Sequence, residues 1–142
     1  MAETLVQKLM KRTCITIDEN SSIKDLVYTL NKNKVGCIVV TSLKSNYPVG
    51  IVSERDLVRN YKIILNNNTI KVKDVMTKNI IFCNKNTSSK QLMEIMSENK
   101  IRHIPIIEKN KLLGIVSIGD VVSRIIENYA YETRHLREYI NS

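Results

Sequence analysis

A seven-residue phrase occurs twice in this chain, as Gly50-Ile51-Val52-Ser53-Glu54-Arg55-Asp56 and as Gly114-Ile115-Val116-Ser117-Ile118-Gly119-Asp120. In each copy a glycine opens a short β-branched run, the pattern of a buried strand, and the run stops on a serine where helical periodicity begins. The match extends beyond the phrase: a shift of 66 residues lays Met10 on Met76, Ser22 on Ser88, Leu26 on Leu92 and Asn33-Lys34 on Asn99-Lys100. After a slip of two residues the phrases themselves align, so the chain is a duplicated module with one loop of unequal length.

Each copy reads in the same order. An amphipathic lead-in (residues 1–12, then Val72, Val75 and Met76) precedes a brief strand at Ile15-Thr16-Ile17 or Ile80-Ile81-Phe82. A helix opens at Ser22 or Ser88, and two strands follow that return on each other through a loop (Lys44 to Tyr47) or a turn (Lys109-Asn110-Lys111). A second helix then carries Leu57, Val58, Tyr61, Ile64 and Leu65, or Val121, Val122, Ile125, Ile126 and Tyr129, on one face. The fold class is α/β (α+β): two β-α-β-β-α repeats over residues 6–65 and 70–128, and a helical tail over 129–142. Three short strands and two helices are too few to bury both faces of a sheet. The halves are therefore expected to pack about a pseudo-twofold axis that creates two related clefts.

The serine and aspartate of the phrase fall at a strand-to-helix junction. The first turn of a helix leaves N–H groups unpaired and carries the positive end of the dipole, which suits a phosphate. A serine hydroxyl adds a donor, and an aspartate offers two acceptor oxygens to the adjacent hydroxyls of a ribose. The same Ser-x-x-Asp spacing is also that of a capping box, and an aspartate that caps a helix is not thereby barred from a ribose.

Of the 142 residues 43% are hydrophobic, enough for a sizeable core. Lys and Arg number 22 against 14 Asp and Glu, a net charge of +8, but they are spread from Lys8 to Arg137. That distribution suits a solvated surface better than a nucleic-acid face, and the chain has one Phe, no Trp and no zinc pattern. A basic nucleic-acid-binding regulator built on the same repeats is the alternative reading. Cys14, Cys37 and Cys83 are odd in number and lie in apolar runs, so buried free thiols in a reducing compartment are expected. There is no CxxC, and His103 and His135 are far apart, so no metal site is expected. No signal-peptide core and no membrane-length apolar run occur, and the expected location is the cytoplasm. No nucleophile-base pair or P-loop lysine motif is present, and the protein is not expected to be an enzyme.

The two phrases, Asp74-Val75-Met76-Thr77 before the second copy, and Lys100-Ile101-Arg102-His103-Ile104-Pro105-Ile106-Ile107 before its hairpin resemble the CBS domain. The chain as a whole, over roughly residues 6 to 128, resembles a tandem CBS pair, or Bateman module. The resemblance implies a regulatory module that takes an adenosine compound (AMP, ADP, ATP or S-adenosylmethionine) as regulatory ligand, with no catalytic cofactor. It implies one cleft with Ser117 and Asp120, with Asn79, Ile80 and Ile81 near the base and Arg102, His103 and Pro105 beside them. The other cleft would combine Ser53, Arg55 and Asp56 with Thr13, Cys14 and Ile15, and with Gly36 and Cys37 where the second copy has Arg102 and His103. Each cleft would then hold one arginine, and the cleft with Arg102 is expected to bind more tightly. The resemblance further implies a flat homodimer formed through the helices. With only a helical tail beyond the repeats, the expected output is contact with an effector protein or a change in assembly.

Overall fold

The computed structural model describes residues 3–44 and 46–141. Met1, Ala2, Ser45 and Ser142, which belong to the expected lead-in, hairpin loop and tail, lie outside the described residues. The elements follow in the order α1 (Leu5–Leu9), β1 (Thr16–Asp18), α2 (Ile23–Asn33), β2 (Cys37–Ser42), β3 (Tyr47–Ser53), α3 (Glu54–Arg59) and α4 (Tyr61–Asn66). The second half holds α5 (Val72–Val75), α6 (Ser89–Asn99), β4 (His103–Glu108), β5 (Lys111–Ser117) and α7 (Ile118–Asn141). The fold is the expected α+β arrangement of two similar halves.

Local chemistry explains most boundaries. Ser22 and Ser88 cap α2 and α6 by accepting from the amides of Asp25 and Gln91, both at 3.1 Å. Both helices end on a lysine in the left-handed region, Lys34 and Lys100, each at φ 54°. Lys109 and Asn110 turn the second hairpin with positive φ angles, which a two-residue turn requires. β2 pairs with β3, and β4 with β5, antiparallel, and both pairs carry a register shift at equivalent places, Val40/Thr41 and Ile106/Ile107.

Three expectations are corrected. No strand forms at Ile80-Ile81-Phe82. Parallel pairing like that of β1 with β2 survives only as the bridge Cys83↔Ile106, because Cys83 is buried while Ile81 and Phe82 lie exposed. The second helix of the first half is broken at Asn60, whose side chain donates to the Asp56 carbonyl at 2.7 Å between α3 and α4. Cys14 is half-buried, whereas Cys37 and Cys83 are buried.

Two cores form, and each includes the lead-in of the opposite half. Leu5, Val6 and Leu9 of α1 pack with Leu92, Met96, Ile104, Ile106, Val116 and Val121 of the second half. Val72 and Val75 of α5 pack with Ile17, Leu26, Leu30, Ile38, Val40 and Val52 of the first. Burying a side chain of this size stabilises by roughly 1.5–3 kcal/mol, so the exchange of lead-ins is a main tie between the halves. The chain after each lead-in must then cross back to its own half. It does so beside the other half's phrase.

Candidate functional site

The phrase glycines are where that crossing is closest. A Cβ on Gly50 would lie 2.6 Å from Met76 Sδ and 2.9 Å from the Thr77 carbonyl oxygen. One on Gly114 would lie 3.2 Å from Ile106 Cδ1 and 3.4 Å from the Leu9 carbonyl oxygen. Ile51 and Thr77 also exchange backbone hydrogen bonds, at 3.0 and 2.8 Å. Glycine therefore opens the phrase because another backbone runs against it.

Two clefts result. The larger, about 570 Å³, is lined by Gly36, Cys37, Ser53, Arg55 and Asp56, by Asn79 and Ile81, and by Arg102, His103 and Pro105. The smaller, about 310 Å³, is lined by Thr13, Cys14, Ile15, Cys37, His103, Ser117 and Asp120. All the expected residues except Ile80 line a cleft, but the grouping is corrected: Asn79, Ile81, Arg102 and Pro105 accompany Asp56, and Thr13, Cys14 and Ile15 accompany Asp120. For Asn79, Ile81, Thr13, Cys14 and Ile15 the cause is the exchange of lead-ins, which delivers residues 77–81 to the first phrase and 12–15 to the second. Cys37 and His103, equivalent positions of the two halves, form a wall common to both clefts.

In both copies the Ser-x-x-Asp is a capping box. The Ser53 amide and hydroxyl donate to Asp56 Oδ2 at 2.8 and 3.1 Å, and the Asp56 amide donates back to the hydroxyl at 3.4 Å. The Ser117 amide and hydroxyl both donate to Asp120 Oδ2 at 2.9 Å, with the return bond at 3.2 Å. The box engages one carboxylate oxygen. Among the described residues, Asp56 Oδ1 accepts no hydrogen bond.

The clefts differ in charge. Arg55, Arg59, Lys100 and Arg102 line the larger one, against the carboxylates of Glu54 and Asp56, and none of the four cations is in an ion pair among the described residues. The expected single arginine per cleft is thus corrected. Arg59 was not picked out from the sequence, although it stands four residues after Arg55 and so shares its helix face. In the smaller cleft the one arginine is Arg12, which the sequence did not signal at all. Its guanidinium lies 3.0 Å from Asp120.

Burial pushes the Asp120 carboxyl up, but the Ser117 amide, the Arg12 guanidinium and the Ser117 hydroxyl outweigh it and hold the group below the usual carboxylate range. Burial lowers His103; Asp120 opposes that and Arg102 adds to it, so the ring stays neutral at pH 7. Burial, with the Asp56 charge, pushes the Cys37 thiol up to about 12, and burial alone does the same for Cys83. Those thiols are not nucleophiles at neutral pH. Among the described residues no group of three His, Cys, Asp or Glu is placed to hold a metal ion. No helix among them is long and apolar enough to cross a membrane.

Two similar α+β halves, each built around one copy of the phrase, meet at a pair of clefts. The CBS domain model matches residues 6–63 and 72–127, and the chain belongs to the CBS-domain family. It is 35% identical over 133 residues to the mitochondrial CBS domain-containing protein CBSX3 of Arabidopsis thaliana, covering 89% of this chain but 62% of that protein's length. A crystal structure of a CBS-domain containing protein from Agrobacterium tumefaciens superposes with a TM-score of 0.77 at 37% identity, covering 87% of this chain and 93% of that one. A CBS domain protein from Pyrobaculum aerophilum complexed with AMP superposes with a TM-score of 0.72 at 29% identity, covering 84% of this chain and 89% of that one.

Proposed function

We propose that the chain is a non-catalytic regulatory module that binds a phosphorylated adenosine nucleotide in the larger cleft and passes its occupancy to a partner protein. One observation carries the reading: Oδ1 of Asp56 and four cations, all without a partner among the described residues, line one cavity of about 570 Å³. That volume is within the roughly 300–1,000 Å³ of small-molecule sites. Asp56 accepts from the ribose hydroxyls, Arg55, Arg59, Lys100 and Arg102 meet the phosphates, and the base lies by Asn79 and Ile81. The AMP complex of the Pyrobaculum aerophilum relative supports the ligand class. Four cations favour two or three phosphates and disfavour the sulfonium of S-adenosylmethionine.

Homodimerisation through the helices is part of the proposal, supported by the exposed Val58, Tyr61 and Leu65 of α3 and α4 and Val122, Ile126 and Tyr129 of α7. A reducing compartment, read here as the cytoplasm, agrees with three free cysteines. Calorimetric titration with AMP, ADP, ATP and S-adenosylmethionine tests the reading. The expected order is ATP and ADP ahead of AMP, with S-adenosylmethionine weakest, and the tighter site is lost in Asp56→Ala. Absence of saturable heat with all four overturns it.

A further inference from the structure

The two aspartates of the repeated phrase are not in the same state. Both oxygens of Asp120 are engaged by one side chain: Arg12 Nη1 donates to Oδ1 at 3.3 Å and Nη2 to Oδ2 at 3.0 Å. Nη2 also donates to the Ile115 carbonyl at 3.5 Å. The guanidinium therefore stands on the carboxylate that a ribose would need. The residue equivalent to Arg12 in the second half is Lys78, which has no planar fork, does not line the larger cleft and makes no bond to Asp56 among the described residues. Arg12 sits between α1 and β1 with its side chain 55% exposed and belongs to neither core, so its withdrawal would unpack neither.

We propose that Arg12 is a latch on the smaller cleft, closing it to uncharged nucleosides and opening it to phosphorylated ones; this rests on the reading of the clefts as adenosine sites. A ribose reaches Asp120 only when Arg12 withdraws. An uncharged nucleoside gives the displaced guanidinium no new anion, so the ion pair is lost without replacement. A nucleotide supplies a phosphate that the same fork grips, and one charge-assisted pair is exchanged for another. The smaller cleft thereby discriminates by ligand charge although its own residues, Arg12 and Asp120, sum to zero.

The test is titration of AMP and of adenosine into protein carrying Asp56→Ala, so that heat reports the smaller cleft, with Arg12 intact, Arg12→Gln or Arg12→Lys. With Arg12 present, AMP is expected to bind about tenfold or more tightly than adenosine. Arg12→Gln strengthens adenosine several-fold and weakens AMP, bringing the ratio towards one, and Arg12→Lys falls between. Raising salt tightens adenosine binding when Arg12 is present and not in Arg12→Gln, because salt loosens the latch. If Arg12→Gln weakens both ligands by the same factor, or changes neither, Arg12 is only a structural tie and the inference is wrong. Binding by wild type but none in Asp56→Ala removes the smaller cleft as a site, overturning the latch and leaving the larger-cleft reading intact. No binding in wild type overturns both.

Discussion

Ile51 and Thr77 each donate a backbone hydrogen bond to the other, at 3.0 and 2.8 Å, although one belongs to the first half and the other leads into the second. That pair fixes the chain beside Gly50. A methyl group there meets Met76 Sδ at 2.6 Å and, less yieldingly, the Thr77 carbonyl oxygen at 2.9 Å. Gly50→Ala is expected to destabilise the fold by roughly 1–3 kcal/mol, the range of overpacked cores. Gly114→Ala, whose nearest atoms lie at 3.2 and 3.4 Å, costs less. Urea midpoints of the two variants check the order.

The exchange of lead-ins makes a regional prediction. Val6 is fully buried in the second core, so Val6→Ala is expected to cost on the order of 2 kcal/mol through lost burial and the cavity left behind. Amide exchange should quicken first in β4 and β5, far along the sequence, and not in β2 and β3 of its own half. Faster exchange in β2 and β3 would mean that α1 docks at home.

Acid stability follows from His103. Its folded pKa lies below the ordinary 6.5, so as pH falls below 6.5 the unfolded chain takes up the proton first and the fold loses stability until the folded pKa is passed. One such proton contributes a slope of at most about 1.4 kcal/mol per pH unit. His103→Gln is expected to flatten that decline as pH falls below 6.5. Asp120 acts in a separate window: its lowered pKa stabilises above the ordinary 3.8, and that stability is lost only as pH falls through the folded value. Denaturation midpoints measured across the range separate the two.

Much of this was legible in the residues because it is local. The repeat, the strand and helix order, the capping serines and the two-residue difference between hairpins are all written in short stretches of sequence. Which lead-in serves which phrase is not local. Residues 12–15 and 77–81 read the same whether they stay at home or cross, and only the docking of Leu5, Val6 and Leu9 on the second core decides it. That single long-range fact moved Asn79 to Asp56 and brought Arg12 to Asp120. The break at Asn60 and the missing strand at 80–82 were hidden for a related reason. An apolar run predicts burial, yet Val58, Leu65 and Phe82 are left exposed.

Titration of ATP into Arg102→Ala, Asp56→Ala and Asp120→Ala tests most directly which side chains make up the larger cleft. Arg102→Ala and Asp56→Ala are expected to weaken the same, tighter site, each by about tenfold or more, the effect of losing one charge-assisted contact. Asp120→Ala should leave that site unchanged. If instead Arg102→Ala and Asp120→Ala weaken one site while Asp56→Ala spares it, the phosphate-binding side chains do not converge on Asp56, and this account of the site is wrong.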